Sequence, residues 1–167
     1  MAGIADALMQ ELEHEGATTR RVLERVPDGK LDWQPHTKSM TLGRLAHHIS
    51  TVPGDVATIA SVDEFDFANF PRAEQPTTAA GMLESHDQSV AKAKAYLAGL
   101  DDASAMSMWK GTMGGNPMMT MPRVAVIRNI MLNHWIHHRG QLSVYLRLLD
   151  VPVPSIYGPS ADEDPVR

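Results

Sequence analysis

The chain has 167 residues, 43% apolar and 21% charged, an ordinary balance for a single globular domain spanning residues 1–167 with room for a sizeable core. A net charge of −5 and the lack of any Lys/Arg-rich stripe remove the electrostatic footprint of a nucleic-acid binder. No apolar run approaches the ~20 residues of a membrane span, and the N-terminal stretch carries Asp6 and no basic segment, which argues against a signal peptide.

The first helix is expected from about Ile4 to Arg25, where Ile4, Leu8, Leu12, Thr19, Leu23 and Val26 recur at helical spacing. Pro27, Asp28 and Gly29 stop it. An irregular connector follows, with Trp33 as its anchor on the body of the domain. The second helix begins near Thr41, an N-cap residue type, and its apolar face is Leu42, Leu45, Ala46, Ile49 and Val52. Pro53 and Gly54 are expected to kink or end it, with residues 56–60 continuing at a new angle. The acidic and aromatic stretch from Ser61 to Pro76 reads as loop. Thr77 or Thr78 caps a third helix to about Leu97, with Ala79, Leu83, His86, Val90, Ala93 and Leu97 as its stripe. A structureless connection from Gly99 to Met121 would be long for a compact domain. The alternation on either side of Gly114-Gly115-Asn116 predicts a short hairpin there. A fourth helix runs from Pro122 to about Leu149, with Ile127, Met131, His134, His138, Leu142, Tyr145 and Leu149 on one stripe. Pro152, Pro154 and Pro159 force an extended tail, and Ala161 to Arg167 are expected to fray. The fold class expected from these elements is all-α, a four-helix bundle with a hairpin between its third and fourth helices.

Chemistry concentrates where histidines cluster. Asn133 to Leu142 reads N-H-W-I-H-H-R-G-Q-L, with His134, His137 and His138 in five residues, and His47 and His48 sit on the second helix. With no cysteine in the chain, disulfides and thiolate ligands are excluded and a metal must take nitrogen or oxygen donors. The same lack of cysteine is compatible with a reducing compartment, and a cytoplasmic location is expected. His134 and His138, four apart, share a helix face with Cβ atoms ~5–6 Å from each other, so both imidazoles can converge on one ion. His137, three from His134, is the competing choice; the apolar stripe runs through His138. On the second helix His47 points away from the apolar face, while His48 lies at its edge and is the better third ligand. A lone histidine on an apolar face is ordinarily a hydrogen-bonded core residue, and His86, His14 and His36 are read that way. Three together are harder to satisfy separately, since each buried imidazole needs a polar partner and one metal serves all of them. Trp135 stands where an H-E-x-x-H zincin has its general-base Glu, which removes the metalloprotease reading. Arg139 is read as a solvated charge near a helix C-terminus. Gly140 is read as a point of close helix approach.

The segments T-L-G-R-L-A-H-H-I from Thr41 to Ile49 and N-H-W-I-H-H-R-G-Q-L resemble the DinB-like family. The D-W-Q-P-H connector from Asp32 to His36 and the tail from Val151 to Glu163 also look like that family, so the resemblance spans nearly the whole chain. It implies an antiparallel, up-and-down four-helix bundle of DinB type, commonly homodimeric. It implies a three-histidine metal site, carried over here as His48, His134 and His138, with zinc or nickel as the metals associated with the family. It also brings Tyr157 of the tail into consideration as a residue that approaches the site. Characterised relatives include transferases that use low-molecular-weight thiols.

The leading functional expectation is therefore a metal-dependent enzyme with an open three-histidine site, such as a small-thiol-dependent S-transferase acting on a small molecule. The alternative enzyme is a metal-dependent hydrolase, for which the sequence names no general base. A non-catalytic metal- or ligand-binding module and a metal-free bundle are the other classes. No membrane or nucleic-acid partner is expected.

Overall fold

The computed structural model describes residues 3–71 and 74–164. Helix α1 (Ile4–Leu23) is followed by the connector and α2 (Leu42–Ala60). Strand β1 (Glu64–Asp66) and a 3-10 turn (Phe67–Asn69) precede α3 (Ala79–Ala98) and the short α4 (Asp102–Met106). The hairpin β2 (Met108–Met113) and β3 (Asn116–Pro122) leads into α5 (Arg123–Val126), a π-helical stretch (Ile127–Asn133) and α6 (His134–Leu148), which run on without a break. No helix of the described residues is long and apolar enough to cross a membrane.

The helices form where periodicity places them. Thr41 caps α2 by accepting from the Arg44 N–H at 3.2 Å, and Thr78 caps α3 by accepting from the Gly81 N–H at 3.1 Å. Leu8 and Leu12 of α1, Leu42, Leu45, Ala46 and Ile49 of α2, Met82 and Leu97 of α3, and Met131, Leu142 and Leu146 of the last helical run meet in one core. Trp33 packs edge-on against Tyr145 with ring centroids 5.6 Å apart, which anchors the connector as expected. Its carbonyl and that of Leu31 accept from the N–H groups of Leu42 and Gly43, satisfying donors at the start of α2.

The all-α expectation is corrected. The three-stranded sheet has order β1-β2-β3, with β1 parallel to β2 and β2 antiparallel to β3. The hairpin lies where the alternation places it, and its turn uses Gly114 and Gly115 at φ +57° and +78°. The strand absent from the sequence reading is β1, inside the 61–76 stretch read as loop. Three residues, Glu64-Phe65-Asp66, are too few to show a period, and a parallel pairing is made by tertiary contact with a segment some forty residues on. The sheet is tied to the end of α2. Trp109 Nε1 donates to the Ile59 carbonyl at 3.0 Å. Arg123 Nε donates to the Ala60 carbonyl at 2.7 Å, and its Nη2 to Asp63 Oδ1 at 2.7 Å. These side chains satisfy carbonyls that the last turn of a helix leaves without partners.

Two further readings change. Proline 53 does not end α2, which continues through it to Ala60. The tail is extended as expected, but Asp162 and Glu163 are held. Asp162 Oδ2 accepts from the Val153 N–H at 2.8 Å and Glu163 Oε2 from the Ser155 N–H at 3.0 Å, while Glu163 pairs with Arg25 at 2.5 Å. The fraying expected for residues 165–167 lies outside the described residues.

Candidate metal centre

The ring nitrogens of His48, His134 and His138 offer ligand atoms that all lie within 4.8 Å of one another. His48 Nε2 and His134 Nε2 are 3.0 Å apart, close to the roughly 3.3 Å expected for two nitrogens bonded ~2.05 Å from one tetrahedral centre. The three rings stand nearly perpendicular to one another, with centroid separations of 5.2, 4.7 and 4.3 Å. All three side chains are half-buried. Burial, then the neighbouring His138 and His134, lowers the His48 pKa from 6.5 to about 4. Burial is also the largest cause of the lowered values of His134 and His138. At neutral pH the rings are therefore uncharged and keep the lone pairs a cation needs. His138 Nδ1 lies 2.7 Å from Gln141 Oε1. If that nitrogen carries the proton and donates, Nε2 is the free ligand atom of His138, the usual outer support of a metal-binding imidazole. The donor set, three imidazoles, fits a divalent transition-metal ion. No described carboxylate joins the group.

His137 is exposed and His47 lines the cleft outside the cluster, so the structure gathers the three residues the helical geometry preferred. His86 is buried and shares a 3.1 Å hydrogen bond with the Gly16 carbonyl, as a core histidine does.

The stripe on the last helical run differs from the expected one. The buried centre of α6 is Trp135, Arg139, Leu142 and Leu146, and the two histidines flank it. The π-helical stretch is the cause. Its wider turn buries both Met131 and Leu132 and advances the inward face by about one residue before His134.

A second device fixes the two histidine-bearing helices against each other. Proline 53 has no N–H, so the Ile49 carbonyl loses its partner four residues on. The Trp135 indole N–H donates to that carbonyl at 2.8 Å. This bond joins the residue after His134 to the residue after His48. Gly54 completes the arrangement: its N–H donates to Ser89 Oγ at 2.7 Å, and a Cβ there would lie 3.0 Å from the Ser89 backbone. Neither link shows in sequence spacing, although a proline inside an apolar-periodic helix signals a carbonyl in need of a donor.

Arg139 is not the solvated charge expected. It is 1% exposed, pairs with Glu15 Oε2 at 2.6 Å, and donates to Tyr157 Oη at 2.6 Å and Thr19 Oγ1 at 3.2 Å. Tyr157 in turn donates to Glu15 Oε2 at 2.8 Å. The tail tyrosine thus reaches the residue after His138. The overlooked signal was Glu15 itself, which sits on the buried stripe between Leu12 and Thr19. Gly140 is exposed, and a Cβ there would meet nothing within 4 Å, so it marks no close approach.

Beside the histidines a cleft of about 610 Å³ opens toward Arg44, His47, Thr51 and Gln75, giving small molecules access to the cluster.

The chain was compared with known proteins. The DinB family model matches residues 1–165. An uncharacterized Bacillus subtilis protein, YrdA, is 24% identical over 163 residues, covering 95% of this chain and 90% of that one. A DinB-like protein of Bacillus cereus has the same fold at TM-score 0.73 and 23% identity, covering 91% of this chain and 97% of its own. The DinB-like YjoA of Bacillus subtilis gives TM-score 0.72 at 18% identity, covering 90% and 97%. With a family match over residues 1–165, almost its full length, this chain belongs to the DinB family.

Proposed function

We propose that this protein is a metal-dependent enzyme that uses His48, His134 and His138 to hold a divalent transition metal, zinc or nickel, and transfers a low-molecular-weight thiol to a small electrophile, with a homodimer as its working form. The observation that carries the reading is a cluster of three neutral imidazoles that no described carboxylate joins, with His48 on the wall of an open cleft. A divalent ion held by these three neutral imidazoles would keep its charge and would supply acidity to a thiol or water bound to it. The chain's own residues do the rest. His138 is oriented by Gln141, and the Trp135–Ile49 bond keeps His134 and His48 in register. The cleft admits the second reactant past Arg44 and Thr51. No described carboxylate joins the cluster, and Asp55 of the cleft wall stands ~10 Å along α2 from His48, which favours thiol transfer over hydrolysis. A thiol needs only to lose one proton of low intrinsic pKa, whereas water activation ordinarily relies on a general base within hydrogen-bond reach.

The test is metal analysis of purified variants followed by a screen of small thiols with electrophiles, run beside ester and amide substrates. His48→Ala, His134→Ala and His138→Ala are each expected to cut metal affinity tenfold or more and to abolish turnover. His137→Ala and His47→Ala are expected to retain the metal. Equal metal loss in His137→Ala means that a different pair binds, and hydrolysis without thiol transfer selects the hydrolase.

A further inference from the structure

A second, mostly apolar space adjoins the triad and shares His48 and Asp55 with the open cleft. It has a volume of about 180 Å³ and runs along one face of α2, from His48 past Val52 to Asp55 and Val56, with His134 and Phe67 on the opposite side. These α2 positions recur at intervals of four, three and one, a single helical stripe. His48 and Asp55 are seven residues apart, so they stand ~10 Å apart along the helix axis. Between them the wall is apolar: Val52 and Val56 are each 3% exposed. A mostly apolar groove with a few convergent polar groups is the form of a ligand site. Its size matches one six-membered ring, since an apolar cavity of about 150 Å³ admits benzene. The sheet builds its far wall, because Phe67, on the 3-10 turn after β1, packs edge-on against Trp109 of β2 and lines the space.

We propose that this space binds the apolar body of the substrate, a group the size of one six-membered ring, and that Asp55 accepts a hydrogen bond from a polar substituent on it. The reacting end of the molecule then lies at the histidines and the substituent at the far end. Burial raises the Asp55 pKa, as expected of a carboxyl beside an apolar wall. Calling the bound group a substrate rests on the enzyme reading above; occupancy of the space by a ring does not.

The test is methyl NMR of isoleucine- and valine-labelled protein, metal-free and zinc-loaded, titrated with benzyl alcohol and with toluene. Both probes are expected to shift the Val52 and Val56 methyls saturably in both forms. Val56→Phe, which fills the space, is expected to weaken both probes at least fivefold with zinc stoichiometry unchanged. Val52→Leu, a smaller change that tests the same wall if Val56→Phe does not fold, is expected to weaken them at least twofold. Asp55→Ala is expected to weaken benzyl alcohol severalfold and leave toluene unaltered. Silent Val52 and Val56 methyls, or full binding to the filled variants, overturn the pocket. Equal effects of Asp55→Ala on both probes overturn the role of Asp55. Saturable binding in a protein that neither holds metal nor turns over keeps the pocket and sinks the enzyme reading. Metal-dependent turnover with silent methyls does the reverse.

Discussion

A histidine is a metal ligand only while it is uncharged, and the fold keeps these histidines uncharged by burying them. His48 is lowered from 6.5 to about 4 and His86 is lowered in the same direction, both chiefly by burial. A folded-state value below the unfolded one means that the unfolded chain binds more protons between the two. The stability these residues contribute is therefore fully present above about 6.5 and is lost as pH falls toward 4. In metal-free protein, the melting temperature is expected to drop across that window. His48→Asn is expected to flatten the drop, read as the difference between variant and parent melting curves at pH 7 and pH 5. An unchanged slope removes His48 from the titration. That His48 rather than His47 converges with His134 and His138 was legible because a helical wheel fixes which side faces inward. The role of Gln141 was not, since its spacing of three from His138 fits many bland uses.

At the scale of the element, one of the bonds between α2 and α6 depends on an absence. Proline 53 removes the N–H that would satisfy the Ile49 carbonyl, and Trp135 supplies the donor instead. Trp135→Phe leaves that carbonyl buried without a donor and is expected to cost about 1–3 kcal/mol. Pro53→Ala restores an intrahelical donor. The double variant is therefore expected to be more stable than the sum of the singles by about 1 kcal/mol, measured by urea unfolding of all four proteins. Strict additivity means the two residues are not coupled through Ile49. The periodicity of α2 and α6 was readable, whereas the π-helical stretch was not. It adds one residue to a turn without changing the apolar composition, so the sequence reads the same with or without it.

At the scale of the molecule, the buried Arg139–Glu15 pair joins α1, α6 and the tail through Tyr157. Removing one partner leaves the other charge buried, so Arg139→Ala is expected to destabilise by about 3–5 kcal/mol. Arg139→Met with Glu15→Leu removes both charges and is expected to be far less harmful. A chemical-denaturation series on the two proteins checks the order, and equal losses mean that the pair is not what Arg139 contributes. The sheet acts at this scale as well, since Trp109 and Arg123 lock it to the end of α2 and Phe67 faces the cavity beside the histidines.

Local sequence accounts for the helical frame, the caps at Thr41 and Thr78, the hairpin turn at Gly114-Gly115 and the three histidines that meet. Each follows from local spacing or from the backbone freedom of a few residue types, which the chain carries wherever it folds. Long-range packing is what pairs β1 with β2, buries Arg139 on Glu15, sets Trp135 on the carbonyl left free by Pro53, and opens a ring-sized space beside His48. Each of those joins residues far apart in the chain, and the free energy that selects them comes from contacts no single segment contains.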